Sequence, residues 1–201
     1  MADLLTLSEA VGALVRDGDA VALEGFTHLI PFAAGHEVLR QGRRELELIR
    51  MTPDILYDQM VGVGAARRLV FSYAGNPGVG SLHRVRDAIE HDWPRAVEIE
   101  EHSHAGMANR YAAGASRLPF AVLRGYAGTD LYTRTNDPDL RLHDPTSPLV
   151  PVALRRSWAA YIVVCALYSS VRIAHICTIS TRAGNVGLWL RSPSYATPSP
   201  T

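Results

Sequence analysis

The chain has 201 residues, 47% of them hydrophobic and 20% charged, which is enough apolar material for a sizeable core and excludes disordered, collagen-like and disulfide-stapled classes. Its formal charge is zero, so there is no global basic field for nucleic acid and no polybasic membrane anchor. All 20 basic side chains are arginine, which excludes Schiff-base chemistry, covalent pyridoxal phosphate chemistry and a phosphate-loop lysine.

The charge is unevenly spread. Residues 1–131 hold 13 arginines and 17 acids, residues 132–201 hold 7 and 3, and no acid follows Asp144. This marks an α/β domain over 1–131, a divergent continuation of it over 132–190, and a Ser/Pro/Thr-rich tail over 191–201 expected to be disordered. The 57 residues from Pro145 onward without an acid suggest a shifted reading frame or a degenerate end. Cys165 and Cys177 are the only cysteines, and the N-terminus lacks a signal-peptide pattern, so a reducing cytoplasm is expected. The stretch from Trp158 to Val171 is 14 residues long before Arg172, short of the roughly 20 that span a bilayer, and reads as buried core.

In chain order, Leu5–Arg16 places Leu5, Val11, Leu14 and Val15 near one helical face, with Thr6 or Ser8 available as cap and Asp17-Gly18-Asp19 as the closing turn. The apolar run Ala20–Leu23 reads as a buried parallel strand. A helix around Ala33–Gln41, a strand Leu46–Arg50, a helix near Asp54–Val63 and a strand Leu69–Tyr73 follow. After a Gly/Pro-rich turn come a helix over Ser81–His91, a strand Ala96–Ile99, a helix His104–Ala115 and a strand Phe120–Arg124. Strands alternating with helical patterns predict βαβ units, hence an open, mainly parallel sheet with helices on both faces. Beyond residue 131 the rhythm loosens, with strands at Leu149–Leu154 and Tyr161–Val164 and a turn at Arg182–Asn185.

In such sheets ligands gather at the carboxyl ends of the strands, where helix N-termini and backbone amides collect. Three connections reach that edge: Glu24–Pro31, Tyr73–Gly80 and Glu100–Gly106. The cluster Glu98, Glu100, Glu101, His102, His104 is the densest set of titratable groups. Spacing of two puts Glu98 and Glu100 on one face of the strand. A carboxylate beside a histidine raises the imidazole pKa and suits acid/base or oxyanion work. Solvated acids at a strand end explain the same residues structurally. A metal site lacks further ligands at a recognised spacing. The glycine-bearing loops around Gly25 and Gly75 are neither a dinucleotide fingerprint nor a phosphate loop, and structural turns account for them equally.

Taken in order, these segments resemble the α subunit of family I coenzyme A transferases. Asp17-Gly18, the strand Ala20–Leu23, Glu24-Gly25-Phe26 and Pro31 match an Asp-Gly turn, apolar strand, Gly-Gly-Phe and proline, with Glu24 in place of the first glycine. Phe71–Asn76 resembles the family's Ser-Tyr-x-Gly loop, Glu98–His104 with Gly106–Tyr111 its acidic strand and helix, and Leu118-Pro119-Phe120 and Gly125–Leu131 complete the run. The resemblance covers residues 5–131.

The resemblance implies a heteromeric enzyme, α2β2, that moves CoA between an acyl-CoA thioester and a carboxylate. The nucleophilic glutamate comes from a β subunit, and no cofactor is bound permanently; coenzyme A esters are substrates. It assigns His104 to the polar position facing the acyl carbonyl, where it donates to an oxyanion or serves as general base for water. Gly25, Phe26, Thr27, Ser72, Gly75, Asn76 and Glu101 are the implied substrate and CoA contacts. The alternatives are a CoA-ester or ring-opening hydrolase subunit on the same scaffold, and a non-catalytic remnant.

Overall fold

The structure is a computed structural model that describes residues 5–25, 30–76, 80–116, 120–123, 125–126, 129–131, 150–153, 161–167, 174–181 and 184–190. Helix α1 (Leu7–Leu14) starts in a capping box: the Thr6 hydroxyl accepts from Glu9 N–H at 3.3 Å, and Glu9 Oε2 accepts from Thr6 N–H at 2.8 Å. The chain then alternates through β1 (Ala20–Glu24), α2 (Phe32–Arg40), β2 (Leu46–Ile49), α3 (Ile55–Gly62), β3 (Ala66–Phe71), α4 (His83–Glu90), β4 (Glu98–Glu101) and α5 (His104–Ala115). After β5 (Phe120–Leu123) come β6 (Val150–Ala153), β7 (Tyr161–Leu167), β8 (Ala174–Thr181) and β9 (Gly184–Leu190).

The main sheet runs β4-β3-β2-β1-β7-β8-β9. Strands β4, β3, β2, β1 and β7 are parallel, while β8 and β9 are antiparallel additions. The period-2 alternation of the strands decides what each face meets. Val21, Leu23, Leu46, Leu48, Leu69 and Phe71 point to one face and join the core with Val11, Val38, Leu56, Met60 and Val85 of α1 to α4. On the opposite face stand Glu24, Arg68 and Glu100, and α5 covers them: Tyr111 donates to Glu24 and Arg110 to Glu100. Helices therefore lie on both faces, as the βαβ rhythm predicts.

One expected unit is corrected. The rhythm implies that Phe120–Leu123 is a fifth strand of the parallel sheet. Instead β5 pairs antiparallel with β6 in a separate two-stranded sheet, and the place beside β1 belongs to β7. Helix α5 packs against β5, so its burial comes from the helix and not from the main sheet. Several boundaries also shift: β3 begins at Ala66, and β4 at Glu98 instead of Ala96. The predicted disordered tail 191–201 lies outside the described residues. No helix among the described residues is long and apolar enough to cross a membrane.

Candidate active site

Three strand ends and one helix start meet on the α5 side of the carboxyl edge. Ser103 caps α5 by accepting from Gly106 N–H at 3.0 Å, so His104 opens the helix. Its imidazole lies between the ends of β2 and β3. Nδ1 is 3.1 Å from Ser72 Oγ, and Nε2 is 3.4 Å from Thr52 Oγ1. Ser72 follows Arg68 and Val70 on the α5 face of β3, which is why its hydroxyl meets a residue from that helix.

The Met51 peptide organises this corner. Its carbonyl accepts from Ser72 N–H at 3.1 Å, from Tyr73 N–H at 3.3 Å and from Ser72 Oγ–H at 2.6 Å. Its N–H donates to Glu24 Oε1 at 2.8 Å, and the same carboxylate oxygen accepts from Tyr111 Oη–H. Glu24 thus ties the end of β1 to β2 and to the second turn of α5.

Behind His104 lies a buried polar network. His102, 3% exposed, has Nε2 2.6 Å from Glu100 Oε1 and Nδ1 3.1 Å from Tyr126 Oη. Arg68 pairs with Glu98 at 3.3 Å and with Glu100, and Arg110 also reaches Glu100. The Tyr126 hydroxyl accepts from Ser103 N–H at 2.8 Å, which anchors the residue preceding His104. The spacing of Glu98 and Glu100 does place both on one face, with Arg68 between them. The expectation that a carboxylate raises the neighbouring histidine is reversed at His102. Burial, with the Arg110 and Arg68 charges adding to it, pushes this imidazole down to about 3.

On the other face of the same edge, Arg50 is 2% exposed and lies over the Tyr57 ring, 5.4 Å from its centroid. Its Nη2 donates to the Gly25 carbonyl and pairs at 2.8 Å with Asp54, the N-cap of α3. Burial raises the Asp54 carboxyl despite the Arg50 charge opposing it. Tyr57 Oη, held protonated because burial pushes its phenol well up, donates to Ile49 O at 2.8 Å and accepts from Leu23 N–H at 3.0 Å.

Of the residues singled out in the sequence, His104 and Ser72 are brought into contact. Gly25 stands at the end of β1, held through its carbonyl by Arg50. Gly75 and Asn76 line a different feature, an open groove of about 600 Å³ between the loop after β3 and α4, with Tyr73, Leu82, Val85 and Ile89. A Cβ at Gly75 would stand 2.6 Å from the Tyr73 ring. Glu101 is exposed at the end of edge strand β4; the carboxylate engaged with α5 is that of Glu100. Phe26 and Thr27 lie outside the described residues. Among the described residues no group of three or more His, Cys, Asp or Glu side chains is placed to hold a metal ion. Thr52, Arg50, Asp54, Tyr111 and Tyr126 carry no signal in the sequence that singles them out. Their contacts span 23 to 87 residues or pass through backbone groups, and no local motif encodes such pairs.

A parallel α/β sheet bearing this cluster at its carboxyl edge matches known folds. The chain superposes with a TM-score of 0.64 on glutaconate coenzyme A-transferase of Acidaminococcus fermentans, at 27% identity over 76% of this chain and 54% of that one. It superposes with a TM-score of 0.63 on a variant of the decarboxylase AibA/AibB, at 26% identity over 75% and 57%. The class defined by fold and site is therefore the coenzyme A transferase type of α/β domain.

Within that class the sequence is similar to α-type subunits. It is 69% identical over 131 residues to the α-type subunit of 3-oxoadipate CoA-transferase from Pseudomonas knackmussii, covering 65% of this chain and 46% of that relative. It is 30% identical over 133 residues to the α-type subunit of glutaconate CoA-transferase from Acidaminococcus fermentans, covering 65% and 41%. The chain spans less than half the length of these relatives. No protein-family model matches it.

Proposed function

We propose that this chain acts as the α-subunit part of a heteromeric CoA-transferase, moving CoA between an acyl-CoA thioester and a carboxylate. A β subunit supplies the glutamate that carries CoA covalently, which divides the transfer into two half-reactions. The observation that carries this reading is the placement of His104 at the start of α5, between Ser72 and Thr52, at the strand edge where α/β sheets bind ligands. The 69% identity to the α-type subunit of a 3-oxoadipate CoA-transferase supports a short-chain acyl-CoA as the thioester. Gly25, Phe26, Thr27, Gly75, Asn76 and Glu101 belong to the same proposal as contacts for substrate and CoA, with Ser72 beside the imidazole. Residues 1–131 carry the site, and 132–190 continue the domain. The working assembly is α2β2 in the cytoplasm, with no permanent cofactor.

The test is reconstitution. The purified chain alone is expected to show no CoA transfer, and addition of the cognate β subunit is expected to restore it. Turnover by the isolated chain would overturn the reading.

A second reading has its own support. One structurally similar protein is a decarboxylase, so the scaffold accommodates reactions other than transfer, and the histidine at position 104 is suited to activating water for thioester hydrolysis. His104→Gln separates the two: transfer survives the substitution, whereas hydrolysis collapses because glutamine cannot take the proton.

A further inference from the structure

The hydrogen-bond donors around Ser72 are over-determined in a way that fixes the imidazole of His104. The Ser72 hydroxyl has one proton and lies 2.6 Å from the Met51 carbonyl, a group that can only accept. With that proton committed, the oxygen has only acceptor capacity to offer the ring nitrogen 3.1 Å away. Nδ1 must therefore carry a hydrogen, and the neutral ring has its lone pair on Nε2. On that side the Thr52 hydroxyl, at 3.4 Å, is free to donate toward the lone pair.

The Met51 carbonyl is itself held in place. Two further donors, the Ser72 and Tyr73 N–H groups, converge on it, and the N–H of Met51 is clamped by Glu24 at 2.8 Å. A relay from Glu24 through Met51 and Ser72 ends at Nδ1 of His104. We infer that Ser72 is a positioning residue that locks neutral His104 as the Nδ1–H tautomer, so that Nε2 faces the reacting groups as a hydrogen-bond and proton acceptor.

This deepens the proposed function, and it rests on that reading in taking His104 as the working side chain. A neutral His104 cannot donate from Nε2 to an oxyanion. It donates there only as imidazolium, and its neutral form accepts a proton from water or a substrate. The second ring nitrogen sets which of these roles is open, as in other catalytic histidines.

The test is nitrogen-15 NMR of the full chain labelled at histidine, in alkaline buffer where imidazoles are neutral, with the His104 signals identified by their loss in His104→Gln. The expected wild-type pattern is a protonated Nδ1 and an unprotonated Nε2. Ser72→Ala is expected to move the ring to the Nε2–H tautomer, and Ser72→Thr, which keeps the hydroxyl, to restore Nδ1–H. With the β subunit present, Ser72→Ala is expected to lower kcat about tenfold or more with KM little changed. An Nε2–H ring in the wild type would overturn the inference whether or not Ser72→Ala folds, and so would an unaltered tautomer in a folded Ser72→Ala. The spectrum decides the tautomer and reconstitution decides the transferase reading, so each can fail without the other.

Discussion

Tyr126 places its hydroxyl oxygen where a side chain on Gly106 would have to stand: a Cβ built there would lie 1.9 Å from Oη. Glycine is required in the first turn of α5 because a tyrosine 20 positions away in sequence closes over it. That hydroxyl accepts from Ser103 N–H, so the absence of one methyl group sets the entry of the helix that begins with His104.

Gly106→Ala is accordingly expected to destabilise the protein by about 1–3 kcal/mol through overpacking and loss of the Tyr126 hydrogen bonds. Adding Tyr126→Phe, which removes the closest atom, should recover part of the loss. Denaturant unfolding of the two single variants and the double variant measures this. Simple additivity of the two losses would show that the contact does not govern the helix entry.

His102 makes a pH prediction whose sign follows from its depressed pKa. The folded state holds it near 3 and the ordinary value is 6.5, so between these values the unfolded chain binds the extra proton. Its contribution to stability is full above pH 6.5 and is lost as pH falls toward 3. The slope from this one group reaches at most about 1.4 kcal/mol per pH unit. Comparing the pH dependence of unfolding in wild type and His102→Gln isolates it: the variant is expected to lose less stability across that window. Equal slopes would contradict the assignment.

Arg50 and Asp54 form a pair buried on both sides, 2% and 6% exposed at the side chain. Asp54→Ala strands the guanidinium without its counter-charge and also removes the cap at Leu56 N–H, and a loss of about 3–5 kcal/mol is expected. Asp54→Asn keeps the cap acceptor and removes only the charge. Thermal unfolding of the two variants therefore apportions the effect, and an Asn variant as stable as wild type would show that the pairing contributes nothing net.

Glu24 supplies the fourth test. Glu24→Gln retains an oxygen that can accept from Met51 N–H and from the Tyr111 hydroxyl, whereas Glu24→Ala releases both. The Ala variant should be less stable by about 1–3 kcal/mol, and its Met51 amide should exchange faster with solvent. If Ala and Gln behave alike, Glu24 does not tether α5 to the sheet.

Much of this architecture is legible in the chain itself. Apolar runs separated by helical periods give β1 to β4 and α1 to α5. The Thr6-x-x-Glu9 spacing fixes the start of α1, and a period of two puts Glu98 and Glu100 on one side of β4. These features depend on neighbours a few residues apart, which sequence displays directly. His104 is legible in the same way, because its ordered flanking segments resemble a known family.

Local pattern in the chain thus sets the order of elements, their faces and the candidacy of His104. Which groups share a hydrogen bond is settled only by the folded arrangement. Folding sends β5 to a separate sheet, joins Glu24 to Tyr111 across 87 residues, and turns His102 from a candidate acid/base into a buried neutral imidazole. The physical reason is that burial and hydrogen bonding act through distance in space. A carboxylate two residues along the chain suggests a raised histidine, but exclusion of water and two arginines packed beside it reverse the sign.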